Sequence, residues 1–317
     1  MDKDTGRLVA LKQVKMQNSR SKDGFPVTAL RETNVLLSLH HPNIVSVDEM
    51  VIGSQIDKVY MVMEYFDHDL KGVMARMKEK KTAFSSAEVK NLMQQLLSAV
   101  EHLHKHWYIH RDIKTSNLLY NRRGKLALCD FGLARKYEDP LKTYTFEVVT
   151  QWYRCPELLL AKPGVKYSTE VDMWSVGCVF GELLKGKPIF QGKGEIDQVG
   201  KIFGVLGVPT EERWPGWMAL PKKVAWKAGG KNNLRELFSA MSFSHGSPAL
   251  LRDKGLDLLN GFFCYDTAKR ISAQDALSHA WFQEDPAPTP LHEMPRFASS
   301  NDDRIIAALE KAGRSPP

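Results

Sequence analysis

Residues 171 to 184, V-D-M-W-S-V-G-C-V-F-G-E-L-L, are apolar at nearly every helical position. A helix through them has no polar face to turn to water, so it must run through the middle of a lobe thick enough to wrap it. Gly186, just past its end, can take the left-handed conformation that stops it. The chain has the material for such a lobe, with 317 residues of which 43% are hydrophobic and 26% charged.

A second helix is predicted behind Ser85-Ser86-Ala87-Glu88, a capping box, because Val89, Leu92, Met93, Leu96, Leu97, Val100 and Leu103 form one apolar stripe. The first 65 residues read differently. Arg7 to Lys15, R-L-V-A-L-K-Q-V-K, is β-rich after a turn signal at Asp4-Thr5-Gly6. From Val27 to Leu39 the residues Leu30, Val35, Leu36 and Leu39 keep helical spacing behind Pro26, and strand-like runs follow at Ile44 to Val51 and Lys58 to Tyr65. The expected fold class is α+β with two lobes: a small β-rich one over 1–65 and a large, mainly helical one over 66–285. Within the latter, 208–250 is rich in Trp, Pro, Gly and Lys with weak periodicity and reads as an irregular excursion on the surface. Prolines and charges make 286–317 read as a tail, with a helix at Asp303 to Lys311.

With 44 basic and 37 acidic residues the net charge is +7, spread along the chain, which favours acidic partners only mildly; no direct nucleic-acid binding is expected. No apolar run reaches the ~20 residues a bilayer requires, and Met1-Asp2-Lys3-Asp4 leads into no signal-like stretch, so neither membrane insertion nor secretion is expected. Cys129, Cys155, Cys178 and Cys264 lie far apart without C-x-x-C spacing, against a disulfide framework or a zinc site. The expected location is the nucleus or cytoplasm.

The chemistry concentrates in His110-Arg111-Asp112-Ile113-Lys114-Thr115-Ser116-Asn117, followed thirteen residues later by Asp130-Phe131-Gly132. An Asp, a Lys two residues on and an Asn three beyond can face one point as base, phosphate counter-charge and metal ligand, and a second Asp after a β-hairpin adds the other ligand. Together these motifs resemble the eukaryotic protein kinases over nearly the whole chain. The resemblance implies a bilobal kinase fold using ATP and Mg²⁺. Val9-Ala10-Leu11-Lys12 looks like the strand with the phosphate-binding lysine, and Glu32 like its ion-pair partner. Asp112, Lys114, Asn117, Lys12 and Glu32 would be catalytic. Met63, Glu64, Phe66, Asp69 and Leu119 would join Lys12, Asn117 and Asp130 around the nucleotide, with Asn117 and Asp130 on the metal. Cys155-Pro156-Glu157 would close a 28-residue activation segment begun at Asp130, Glu157 pairing with Arg270, while Asp172 would hold the catalytic loop.

Pro26-Val27-Thr28-Ala29-Leu30-Arg31-Glu32 is similar to the cyclin-binding helix of cyclin-dependent kinases, nearest the Pro-Ile-Thr-Ser-Leu-Arg-Glu form. Asp23-Gly24-Phe25, Val51-Ile52-Gly53-Ser54 and His68-Asp69-Leu70-Lys71 fit the same PITSLRE-type subfamily. This implies a cyclin partner, of the L type, and work in transcription, pre-mRNA processing or the cell cycle. Thr145 resembles the activating threonine, whose phosphate would be met by Arg31, Arg111 and Arg135. Val148, Val149, Trp152 and Arg154 resemble the pocket that accepts proline after the target Ser or Thr, since the relatives' strained valine leaves no acceptor for an N–H there. Gln151 stands where Leu is usual.

Kinases carry a G-x-G-x-x-G loop about 17 residues before the strand lysine, but here eleven residues precede Lys12 and Gly6 is their only glycine. The expectation is that this hairpin and its strand are missing, leaving β-rich Arg7 to Lys15 an exposed edge and weakening nucleotide binding. Two readings follow. Either the sequence starts at an internal Met of an active serine/threonine kinase, or the chain is a truncated, catalytically weak protein that engages a cyclin or other partners.

Overall fold

Strands open the chain, where apolar residues alternate or cluster. The computed structural model describes residues 6–14, 35–54, 58–136, 151–161, 167–220, 226–227, 229–239 and 251–298. Strands β1 (Val9–Gln13), β2 (Val47–Ile52) and β3 (Val59–Glu64) make an antiparallel sheet in the order β1-β3-β2. Central β3 buries Val59, Met61, Val62 and Met63, as a strand flanked on both edges should, while on edge strand β1 Leu11 is 60% exposed. Lys12 lies opposite Met61 and Ala10 opposite Met63, so pairing with β3 fixes where the lysine sits.

β2 starts later than expected because Ile44 leaves the sheet to bridge Leu128 in parallel. The Val45 N–H donates to the Leu128 carbonyl at 3.0 Å and the Leu128 N–H to the Asn43 carbonyl at 2.8 Å, tying the small sheet to the large lobe. Residues 35–38 are helical, with Val35 and Leu36 buried. The rest of the helix expected from Val27, with Arg31 and Glu32, lies outside the described residues, as does the helix expected at 303–311.

The large lobe continues through β4 (His68–Asp69), α1 (Leu70–Glu79), α2 (Ser86–Lys105), β5 (Tyr108–Ile109), β6 (Leu118–Tyr120), β7 (Leu126–Leu128) and β8 (Arg135–Lys136). Helices α3 (Pro156–Leu160), α4 (Glu170–Lys185), α5 (Glu195–Leu206), α6 (Leu234–Leu237), α7 (Asp253–Phe262) and α8 (Ala273–Leu277) complete it. The capping box opens α2, the Ser85 hydroxyl accepting the Glu88 N–H and Glu88 accepting the Ser85 N–H at 2.7 Å. Helix α4 is the all-apolar run, buried from Val171 to Leu184 and stopped by Gly186 at φ 67°. Phe190, Phe263 and Tyr265 surround its Trp174. A Cβ at Gly181 would fall on the Ile189 side chain, so only glycine permits this close approach.

Composition misses two features. The described part of 208–250 is anchored from within: Trp214, Trp217, Leu234 and Phe238 are buried and Trp214 stacks on Tyr265 at 5.5 Å, while residues such as Glu211, Glu212, Arg213 and Met218 stay exposed. Indole area outweighs weak helical periodicity. Residues 286–298 do not trail off either. The Thr289 N–H donates to the Ala87 carbonyl at 3.0 Å, the Asn91 side chain to the Thr289 carbonyl at 2.8 Å and the Tyr120 hydroxyl to the Pro295 carbonyl at 2.7 Å. Buried Lys90 donates to the carbonyls of Glu284 and Pro286. The extended, proline-rich backbone lends its carbonyls to donors of the lobe and forms a strap on which Phe297 lies edge-on to His68, Phe84 and Tyr120. No helix among the described residues is long and apolar enough to cross a membrane, and the four cysteines are free thiols.

Candidate active site

The site is assembled on the loop from β5 to β6 and on the β6–β7 hairpin. Asp172, at the head of α4 and fully buried, accepts the Arg111 N–H at 2.7 Å, the His110 N–H at 2.8 Å and a contact from His104 Nε2 at 3.0 Å. Burial alone would raise this carboxyl, but the hydrogen bond and charge of His104, the charge of His110 and the Arg111 N–H outweigh it and hold the group below the ordinary carboxylate range. Arg111 is thereby held at φ 71°, a left-handed conformation disfavoured outside glycine. That turn aims the next residues outward together. His110 Nε2 lies 3.1 Å from the Cys129 carbonyl, and its ring meets buried Phe131 edge-on at 4.8 Å.

Asp112 Oδ2 accepts from Lys114 Nζ at 2.8 Å and from Asn117 Nδ2 at 2.9 Å, and the same amide nitrogen reaches the Asp112 carbonyl at 2.8 Å. These three predicted residues therefore converge on one carboxylate. The Cys129 N–H donates to the Asn117 carbonyl at 3.0 Å, bringing Asp130 beside Asn117 at the open end of the hairpin. Asp130 has φ 66°, and Lys12 Nζ from β1 stands 3.6 Å from its Oδ1. Lys12 is thus within ion-pair distance of Asp130, while its expected partner Glu32 lies outside the described residues.

Met63 and Phe66 are buried at the join between β3 and β4. Asp69 pairs in register with Leu119, and its side chain caps α1 by accepting the Gly72 N–H at 2.8 Å. Glu64 is engaged by Lys125. Of the residues expected around the activating phosphate, Thr145 and Arg31 lie outside the described residues. Arg135 on β8 pairs with Ile109, two residues before Arg111, whose guanidinium lies over the Tyr167 ring at 5.7 Å. Val148 and Val149 are also outside. Trp152 Nε1 donates to the Gly192 carbonyl at 3.0 Å, and Gln198 ties the two segments by accepting the Gly192 N–H at 2.8 Å and donating to the Trp152 carbonyl at 3.3 Å. The Arg154 N–H closes that turn on the Gln151 carbonyl at 3.0 Å.

Arg270, wholly buried at its side chain, forms a two-pronged pair with Glu157 at 2.6 and 3.1 Å and lies over Trp174 at 5.2 Å. Sequence reasoning missed a second buried link. The Tyr153 hydroxyl donates to Glu182 at 2.6 Å, and Thr115 of the catalytic loop lies 3.2 Å from that hydroxyl. Burial pushes the Glu182 carboxyl up, against the hydrogen bonds of Tyr153 and Thr115 that lower it. The signal was present: Asp172 and Glu182 are the two acids inside the apolar run, and a buried acid needs partners.

Comparison with known proteins decides the family. Residues 1–282 match the protein kinase domain. The chain belongs to the protein kinase family. Its relatives place it in the cyclin-dependent, PITSLRE-type branch: it is 55% identical over 303 residues to cyclin-dependent kinase G-1 of Oryza sativa subsp. indica, covering 95% of this chain and 42% of that one. It is 50% identical over 317 residues to human cyclin-dependent kinase 11A, covering 99% and 38%. The chain spans about two fifths of the length of these curated relatives. The solved CAK complex of Chaetomium thermophilum bound to ATP-gamma-S contains a similar chain, 34% identical with a TM-score of 0.78, covering 92% of this chain and 87% of that one. The kinase fold and the kinase family are thus shared over nearly the whole chain.

Proposed function

We propose that this chain transfers the γ-phosphoryl group of ATP to Ser or Thr followed by Pro in protein substrates, under the control of a cyclin. The observation that carries the reading is the convergence of Lys114 and Asn117 on the Asp112 carboxylate, with Asp130 and Lys12 paired alongside. Asp112, with Asn117 and Lys114 fixing its Oδ2, orients the substrate hydroxyl and accepts its proton. Lys114 sets a positive charge beside the reacting phosphoryl group, and Lys12 holds the phosphates behind it. The donor set suits magnesium: the Asn117 nitrogen is taken by Asp112, leaving an amide oxygen to offer, and the Asp130 carboxylate is 47% exposed beside it. Magnesium, when bound, supplies charge neutralisation at the phosphates.

The PITSLRE-type resemblance supports a cyclin of the L type gripping residues 27 to 30. Such a grip would bring Glu32 toward Lys12, a differential contact able to shift a two-state equilibrium. Phosphate on Thr145, met by Arg31, Arg111 and Arg135, would lock the activated arrangement. The same resemblance supports nuclear or cytoplasmic work in transcription, pre-mRNA processing or the cell cycle. The test is Asp112→Asn in the cyclin-bound, Thr145-phosphorylated protein, assayed on a Ser-Pro peptide. Turnover should fall at least about 100-fold with folding unchanged. Equal turnover in the two proteins would refute the assignment.

A further inference from the structure

The link from β3 to β4 carries an acid at each end, Glu64 and Asp67, and each acid is held by a base from one short turn. Lys125 Nζ lies 2.7 and 2.9 Å from the two Glu64 oxygens, with the ammonium 5.4 Å from the Phe66 ring centre. Arg122 Nε lies 3.1 Å from Asp67 Oδ1, and the Arg122 N–H donates to Asp67 Oδ2, also at 3.1 Å. These are not loose surface pairs. Glu64 and Lys125 expose 29% and 25% of their side chains and Asp67 only 12%, while Arg122 exposes 42%.

The turn supplying both bases joins β6 to β7 and is itself fixed. The Asn121 side chain accepts the Arg123 and Lys125 N–H groups at 2.9 and 3.1 Å, and Gln95 donates to the Gly124 carbonyl at 3.0 Å. Gly124 has φ 78°, and a Cβ there would stand 2.5 Å from Met294 of the strap. At its opposite end the same hairpin carries Asn117 before β6 and Asp130 after β7. One rigid piece, three residues long on each strand, therefore joins the proposed metal ligands to the clamps on the lobe link.

We propose that Lys125 and Arg122 are positioning residues for nucleotide binding, a proposal that rests on reading this site as a nucleotide site. They hold the lobe link at a set separation from Asn117 and Asp130, so the base end and the phosphate end of one nucleotide are aligned before it arrives. Affinity gains when alignment is built in beforehand. The β4–β6 pairing of His68 with Tyr120 and Asp69 with Leu119 is made without the clamp side chains and should hold when they are removed. Orientation is lost while the fold is kept.

The test is displacement of a fluorescent ADP analogue, with Mg²⁺, from the full chain and its Lys125→Met, Lys125→Arg and Arg122→Gln variants. Lys125→Met and Arg122→Gln should each weaken binding about fivefold, as expected for a partly buried ion pair. Lys125→Arg should restore wild-type affinity. In kinase assays the loss should appear in KM for ATP, with kcat and peptide KM unchanged. Amide exchange across 62–69 should quicken in Lys125→Met while 110–117 exchanges as in wild type. Wild-type affinity and wild-type exchange in Lys125→Met would overturn the proposal. A wild-type chain that binds no analogue would count against the kinase reading instead, and the exchange data alone would then decide the clamps.

Discussion

Lys114 and Asp112 lie 2.8 Å apart with 19% and 11% of their side chains exposed, whereas Lys12 and Asp130 lie 3.6 Å apart with 41% and 47% exposed. The first pair rests on a loop anchored from below by a wholly buried carboxylate. The second spans the two lobes, from β1 to the end of the hairpin. An exposed pair contributes roughly 0–1 kcal/mol, too little to fix the lobes by itself. One half of the site is therefore built in by the large lobe, and the other half is left to whatever positions the small sheet. That division suits the proposed control by a partner, which would act on the adjustable half.

The strongest way to break the contrast is Asp172→Ala. It removes the acceptor of two loop N–H groups and the partner of His104, leaving buried polar groups unsatisfied at a cost above about 3 kcal/mol. A thermal melt should show a large fall in Tm. An unchanged melt would mean the catalytic loop does not depend on α4.

Acid should loosen the two halves in order. Burial first, then the charge of a neighbouring imidazole, holds His41 and His102 below the ordinary histidine value, with Glu101 opposing. The His41 and His102 rings meet tilted at 4.9 Å, and those of His102 and His106 at 4.3 Å, where the small-lobe connection meets α2. Groups with depressed histidine values stabilise the fold fully above about pH 6.5, and that stability is lost as pH falls through the folded values. Asp172, held below the usual carboxylate value near 3.8, keeps its contribution until far lower pH. Hydrogen exchange during acid titration should therefore open residues 41–45 before 110–112. The reverse order would remove the contrast.

The smallest effect on stability is expected from Lys12→Met. Its partner is half exposed, so unfolding should shift by less than about 1 kcal/mol. Kinase activity should nonetheless fall at least about 100-fold if, as proposed, the lost charge acts on phosphate. A destabilisation as large as that of Asp172→Ala would show that the second pair is as built in as the first.

The large-lobe half was the more legible of the two in the sequence. An all-apolar helix with an acid at its head can only be buried, and the spacing of Asp112, Lys114 and Asn117 brings them together on a short loop. Long-range pairings left weaker marks. Lys125 and Arg122 look like ordinary surface bases until the hairpin sets them against Glu64 and Asp67, and nothing local in the sequence announces a partner 61 or 55 residues away. The strap was misread for a related reason: its stability lies in carbonyls offered to side chains elsewhere, which composition cannot reveal. The buried tryptophans of 208–250 show a third limit, since ring area can anchor a segment without any periodic pattern.

The strap also sets a schedule for folding. Phe297 offers its carbonyl to His68, 229 residues earlier, and Arg76 reaches the Ala298 carbonyl at 2.7 Å across 222 residues. Contacts of such separation form late, because the intervening chain must first be ordered. During synthesis, β4 and α1 emerge long before their covering and wait with His68 and Phe84 open on that side. The flank of the lobe link is therefore completed only once Phe297 and Ala298 have left the ribosome, and a nascent chain can hold a finished catalytic loop beside an unfinished nucleotide cleft.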